Sequence, residues 1–269
     1  NVAWHLKGFG LDPLLISRLG MDDYGQSVID RLEDWGLDIA GLQRDSLHPT
    51  GRVNITLNDG QPEFSILPHQ AYDYIEVEGL EQLLSSQDVS MLYHGSLAAR
   101  NTSSLQPLRY LRQQYSSNIF VDINLRAPWW PHNLIDELVT GARWLKLNDE
   151  EVYELSNNDQ RARAKLGAEL SSKHGVQHLI LTRGDKGACL LEDGSVTNGA
   201  PVIVNDVVDT VGAGDAFSSV MRLGILLGCP SPVAMPRALE FASLLCTVRG
   251  ATLSDHTIYN GLLHKWDSA

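Results

Sequence analysis

Nine consecutive residues, Asp209-Thr210-Val211-Gly212-Ala213-Gly214-Asp215-Ala216-Phe217, bring glycines, acids and a helix start to one place. Small residues at 212–214 allow a sharp turn and a close approach to a ligand. The spacing of Phe217, Val220, Met221, Leu223 and Ile225 predicts a helix directly after them. A helix start aims unpaired N–H groups and the positive end of its dipole outward, so such a turn suits an anion. A carboxylate in the same place repels a bound phosphate, but it fits a general base that takes the proton of a hydroxyl attacking one. The layout is that of a phosphoryl-transfer site with Asp215 as base and Gly212, Ala213 and Gly214 as anion turn. β-Branched residues at 202–204 and 207–208 predict a strand, so the nine residues are expected to join strand to helix.

Other readings of this run compete. A dinucleotide fingerprint requires a further glycine where Phe217 stands, and a Walker loop requires Gly-Lys-Ser or Gly-Lys-Thr, which the chain lacks. A purely structural turn, with Asp215 capping the helix, stays open on spacing alone.

The elements that must position this run are an alternation of apolar, strand-like runs and helix-like ones. The strand-like runs fall at 13–16, 89–93, 119–123, 144–147, 179–182 and 188–191, and the helix-like ones at 24–35, 104–115, 134–139, 150–155 and 161–172. That order predicts an α/β fold with a mostly parallel sheet covered by helices on both faces. Two short alternating strands at 52–57 and 63–67 flank Asn58-Asp59-Gly60, a strong hairpin signal. Residues 47–70 therefore read as a β-hairpin forming part of a small lid, and lids exclude water from active sites.

Further polar clusters follow the strands, at the carboxyl ends where ligands of parallel sheets gather. Asn148 and Glu151, within Asn148-Asp149-Glu150-Glu151, stand one helical turn apart. They either complement the helix dipole or hold the water shell of a Mg²⁺ ion. Thr182-Arg183-Gly184-Asp185-Lys186-Gly187 reads by itself as a hairpin turn. Asp122-Ile123-Asn124-Leu125-Arg126 ends another strand, with Arg126 either a phosphate clamp or half of a surface ion pair.

With 269 residues, 43% of them hydrophobic, the chain can bury one sizeable core, read as a single domain over 1–269. A net charge of −12 argues against nucleic acid or an anionic membrane as partner, so any phosphate must be held locally. Cys189, Cys229 and Cys246 are few and scattered, which fits free thiols in a reducing, cytoplasmic setting. No apolar run approaches the ~20 residues of a membrane span. His174 and His178 have no third ligand nearby, so a zinc site is not expected. Asn1 is not an initiator Met, and residues 2–6 read as the interior of an amphipathic helix, so the sequence is expected to begin inside a longer protein.

The order of these strand-end motifs resembles the PfkB, or ribokinase-type, carbohydrate kinase family across essentially the whole chain. The run 209–217 matches the family's Asp-Thr-x-Gly-Ala-Gly-Asp-x-Phe, Asn148 and Glu151 its Asn-x-x-Glu, and Thr182, Gly184 and Gly187 its Thr-x-Gly-x-x-Gly. Asn1-Val2-Ala3 and residues 18–25 are similar to its early segments. The resemblance implies a ribokinase-like three-layer α/β/α sandwich with a small β lid, and transfer of the γ-phosphoryl of ATP to a sugar hydroxyl. Asp215 would take the hydroxyl proton while the N–H groups of Gly212, Ala213 and Gly214 stabilise the transferring phosphoryl. Asn148 and Glu151 would serve the phosphates and Mg²⁺, and Thr182, Gly184, Gly187 and Gly214 the nucleotide. Asn1, Asn124 and Arg126 would serve the sugar, and the loop holding Asp209 and Val211 a K⁺ ion. The family's first strand and its acid would precede Asn1; a polypeptide truly without them is expected to lack a central strand and half of the lid and to show little activity. The segment 122–131 resembles the fructokinase branch, ahead of ribokinase, 2-keto-3-deoxygluconate kinase and nucleoside kinase. A catalytically silent binding protein of the same fold is the alternative in kind. A homodimer formed through the lid is also implied.

Overall fold

The structure, a computed structural model, describes all residues except 59, 60, 158, 162, 205 and 269, with the backbone alone at 55–58 and 61–64. The chain divides into two compact units, one formed by Asn1–Pro13, Ser90–Ser96 and Tyr115–Ala269, the other by Leu14–Val89 and Leu97–Gln114. Elements are numbered in chain order.

The larger unit is built on a six-stranded sheet of order β10-β9-β8-β7-β6-β5. Its strands are β5 (Leu92–His94), β6 (Ile119–Asp122), β7 (Trp144–Asn148), β8 (His178–Thr182), β9 (Ala188–Glu192) and β10 (Ser195–Gly199). β5 to β8 run parallel, and β9 and β10 add antiparallel pairs. The sequences Ile-Phe-Val-Asp and His-Leu-Ile-Leu-Thr are buried along nearly their whole length, as strands covered on both faces must be.

On one face, Ile119, Val121, Leu145, Leu147, Leu179 and Leu181 pack against α5 (His132–Val139), α6 (Asp149–Leu155) and α7 (Arg163–His174) through Ile135, Val139, Val152 and Leu166. The opposite face presents Phe120, Ile180 and Leu190, all fully buried. On that side lie α8 (Ala213–Leu226) and α9 (Ser231–Leu245). Phe9, just beyond α1 (Val2–Gly8), joins α9 to α10 (His256–Asp267) by ring contacts with Phe241 at 4.9 Å, Tyr259 at 4.9 Å and Trp266 at 5.6 Å. Helix, mostly parallel sheet and helix thus form the three layers expected from the alternation.

The smaller unit opens with β1 (Ser17–Gly20), α2 (Asp23–Asp34) and β2 (Leu42–Asp45), the two strands pairing in parallel. β3 (Val53–Asn58) and β4 (Gln61–Ile66) pair antiparallel from Val53↔Ile66 to Asn58↔Gln61. The Asp-Gly turn expected to join them lies outside the described residues. α3 (Leu80–Ser85) and α4 (Thr102–Gln114) complete the unit. Asp22 fastens its start, accepting from Gly25 N at 2.8 Å, Thr50 N at 2.8 Å and Thr50 Oγ1 at 2.6 Å. A buried ion pair between Arg100 and Asp73, 2.7 Å, ties α4's approach to the turn at Ala71–Tyr74.

Two strands expected from sequence do not form where the apolar runs suggest. Residues 13–16 are irregular, and β1 begins at Ser17, where Leu42 supplies its partner. Residues 202–204 and 207–208 are also irregular. The N–H groups of Val208 and Asp209 both donate to the Cys246 carbonyl, and the Val202 carbonyl accepts from the Ser243 hydroxyl, so this segment is tied to the end of α9 rather than to a strand. Residues 209–217 are therefore reached from a loop, not from the strand expected. Among the described residues no helix is long and apolar enough to cross a membrane.

Candidate active site

Parallel strands end on one edge of a sheet, and here that edge collects the polar motifs. Asp122 on β6 lies opposite Lys146 on β7, and Asn148 at the end of β7 lies opposite Thr182 at the end of β8. The start of α8 meets the same place.

Gly212 begins α8 at φ +82, a left-handed conformation that glycine adopts without strain. A Cβ there would lie 2.7 Å from Cα and Cβ of Ala251, so the turn and the 249–253 segment are in backbone contact. That segment is held in turn by three long-range bonds. Trp4 Nε1 donates to the Leu253 carbonyl at 2.7 Å, His5 Nε2 to the Ala251 carbonyl at 3.1 Å, and Gly250 N to Asp209 Oδ2 at 3.0 Å. The helix start has no side-chain cap of its own. A Cβ on Gly214 would find Lys146 Nζ, 3.6 Å away, and no other heavy atom within 4 Å beyond its chain neighbours and its own helix backbone. An uncapped, dipole-positive turn with a lysine ammonium behind it fits a phosphate.

Asp215 lies in the first turn of α8, and Asn1 Nδ2 donates to its Oδ2 at 2.7 Å across 214 residues of sequence. The two residues assigned to base and sugar are thus brought into contact. Behind them lies a buried polar cluster. Lys146 Nζ donates to both Asp122 oxygens at 2.9 and 3.0 Å, and Ser218 Oγ on α8 donates to Asp122 Oδ2 at 2.7 Å. The nearby carboxylates Asp122, Glu151 and Asp215 hold the Lys146 ammonium above its ordinary range in spite of burial, which pulls the other way as the largest influence. Arg222, only 2% exposed, lies with its guanidinium carbon 3.7 Å from the centre of the Tyr93 ring. Burial lowers its pKa to about 10, against the pull of Tyr93, Asp122 and Asp215.

Asn148 and Glu151 form a reciprocal cap of α6: Glu151 N donates to Asn148 Oδ1 and Asn148 N to Glu151 Oε2, each at 2.8 Å. Glu151 Oε1 accepts from Leu125 N at 2.9 Å, which ties the turn carrying Asn124 and Arg126 to β7. Burial pushes the Glu151 carboxyl up, opposed by Lys146 and by the Asn148 N–H. Each carboxylate oxygen keeps a second lone pair. Among the described residues no three of His, Cys, Asp and Glu are grouped to hold a metal ion alone. An amide and a carboxylate do fit Mg²⁺, which keeps several waters and leans on substrate phosphates.

Thr182 leads into a turn closed by Arg183 N to the Gly187 carbonyl at 2.8 Å, with Gly184–Lys186 as a single 3₁₀ turn. Gly187, at φ +81, packs so closely that a Cβ would lie 2.2 Å from the Gly199 carbonyl oxygen. Asp209 accepts from Val211 N at 3.0 Å as well as from Gly250 N, and these backbone bonds lower its pKa. Asn124 takes φ +49 just after β6, and Arg126 donates to the Leu125 carbonyl at 2.8 Å.

Reading the sequence alone passed over Lys146, Ser218 and Arg222. The available signal was Lys146 itself, a charge in the middle of the apolar strand Trp-Leu-Lys-Leu-Asn, where burial demands a partner.

His5 links this site to pH. It is fully buried, accepts from the Tyr259 hydroxyl at Nδ1 (2.8 Å), and has its pKa lowered to about 4, chiefly by burial. The unfolded chain therefore binds the proton first as pH falls, and stability is lost between about 6.5 and 4. We expect a slope of about 1.4 kcal/mol per pH unit from this residue across that window. Urea unfolding at several pH values should show His5→Gln flatter than the wild type by this amount; parallel curves would refute the assignment.

A mostly parallel α/β sheet between helical layers, with a glycine-led helix start and a carboxylate in its first turn beside the strand ends, is the arrangement of a ribokinase-like fold. The pfkB family carbohydrate kinase profile matches residues 1–258, and the chain belongs to that family. The fructokinase of Escherichia coli is 27% identical, over 84% of this chain and 75% of its own. An uncharacterized sugar kinase from Pyrococcus horikoshii, solved in complex with ATP, superposes with a TM-score of 0.75 at 25% identity, covering 93% of this chain and 82% of that one. The fructokinase from Xylella fastidiosa, solved with bound ATP, gives 0.85 at 20% identity, covering 99% and 89%. The protein is a carbohydrate kinase.

Proposed function

We propose that the protein transfers the γ-phosphoryl group of ATP to a hydroxyl of a free sugar, with fructose as the preferred acceptor. The observation that carries this reading is Asp215, set in the first turn of an uncapped helix and held at 2.7 Å by Asn1. The sugar hydroxyl oxygen attacks the γ-phosphorus, forming the new O–P bond as the bond to the β,γ-bridging oxygen breaks and ADP leaves. Asp215 takes the hydroxyl proton during the attack. The N–H groups at Gly212, Ala213 and Gly214 meet the charge on the transferring phosphoryl, so positioning and electrostatics supply most of the rate. Asn1, Asn124 and Arg126 orient the sugar, and Thr182, Gly184 and Gly187 line the nucleotide's place. Asn148 and Glu151 would hold the waters of Mg²⁺, which would neutralise phosphate charge, and the loop of Asp209 and Val211 would take K⁺.

The preference for fructose rests on the turn carrying Asn124 and Arg126 and on similarity to fructokinases. Incubation with Mg-ATP and a panel of fructose, ribose, 2-keto-3-deoxygluconate and nucleosides, following ADP release, tests it. Fructose should give the highest kcat/KM. A higher value for another acceptor would reassign the substrate, and no turnover on any acceptor would favour a silent binding protein. The paired strands β3 and β4 are the surface on which we place a homodimer.

A further inference from the structure

Lys146 stands where the sheet would otherwise be apolar. On the same face of the sheet it lies among the fully buried Phe120, Ile180 and Leu190, beside its register partner Asp122. Burying an ion pair costs several kcal/mol per ion before the pair's attraction is counted, so a well-packed apolar pair would serve the core at least as well. What an apolar pair could not supply is charge beneath the anion turn. Lys146 Nζ lies 3.6 Å from where a Cβ on Gly214 would sit. Asp122 fixes it there through two of its three ammonium donors and is itself fastened to α8 by Ser218. Since Lys146 and Asn148 alternate on one face of β7, the strand that caps α6 also carries this cation.

We propose that Lys146 is a positioning residue for the transfer step: clamped by Asp122 beneath Gly214, it holds the first turn of α8 in place and makes the anion turn more positive, favouring the transferring phosphoryl over the bound nucleotide. This rests on the reading of Asp215 and Gly212 to Gly214 given above. A group that acts on the transition state more than on the ground state lowers kcat when removed and leaves KM alone.

The test compares wild type, Lys146→Met, Lys146→Arg and Asp215→Ala. It measures kcat, the sugar KM, and affinity for ADP with and without aluminium fluoride, which mimics the transferring phosphoryl. Lys146→Met should lower kcat on the order of 10²-fold with the sugar KM unchanged. It should also lose the tightening by aluminium fluoride while keeping affinity for ADP, and Lys146→Arg should recover part of both. Should Lys146→Met not fold, Lys146→Met with Asp122→Asn removes both charges, leaves no orphaned carboxylate, and is read by the same criteria. Wild-type kcat, or equal weakening of ADP with and without aluminium fluoride, overturns the proposal. Full activity in Asp215→Ala overturns the base assignment instead, whatever Lys146→Met shows.

Discussion

Asp215→Ala should retain the fold and lose about 10²- to 10⁴-fold in kcat, the usual contribution of a positioned general base. That loss corresponds to about 3 to 5 kcal/mol of barrier. Asp215→Asn should lose as much, because an amide keeps the shape and can still accept the hydrogen bond from Asn1 but cannot take a proton. The pair of variants separates proton transfer from packing. If Asp215→Asn keeps wild-type turnover while Asp215→Ala fails, the carboxylate is holding Asn1 and not acting as base. Thermal unfolding should distinguish the variants little, since Asp215 is only half-buried at the helix start and Asn1, which donates to it, is exposed.

Gly212→Ala should be nearly as damaging for a different reason. A side chain at φ +82 costs roughly 1–2 kcal/mol of backbone strain. The new methyl would also stand 2.7 Å from Ala251, whose segment is pinned by Trp4, His5 and Asp209 and cannot retreat cheaply. The turn must shift, taking its N–H groups off the phosphoryl, and misaligned donors of this kind cost on the order of 10²–10³ in kcat. Gly228→Ala is the control, since Gly228 follows α8 at φ +66 with nothing within 4 Å of the added methyl. It should pay the strain as a lower unfolding midpoint and keep its kcat. Equal kcat losses in the two variants would show that strain, not the contact with Ala251, is responsible.

The parts of this site that could be read in the sequence are those encoded locally. Glycines followed by a 3.6-residue apolar period mark the start of α8, and acids after β7 mark a cap, so Gly212 to Asp215 and Asn148 to Glu151 stood out. The helices after β6 and β7 were legible for the same reason. What the sequence hides is contact between distant segments. His5 meets the Ala251 carbonyl across 246 residues and Ser218 meets Asp122 across 96, and no local period records either. The irregular approach to Gly212 shows the limit of propensity: Val202, Ile203, Val207 and Val208 favour a strand, yet the backbone bonds of this segment among the described residues go to the Cys246 carbonyl and not to a strand. Lys146, a charge within an apolar strand, reads as an interruption of the pattern, although its burial obliges it to find a partner there.

The decisive measurement is ³¹P NMR of the protein with Mg-ATP and fructose, run beside Asp215→Asn. The mechanism requires a sugar phosphate ester to appear in step with ADP, and both signals to be nearly absent in the variant over the same time. ADP accompanied only by inorganic phosphate, or ester formed equally fast by Asp215→Asn, would contradict transfer to a sugar hydroxyl with Asp215 as its base.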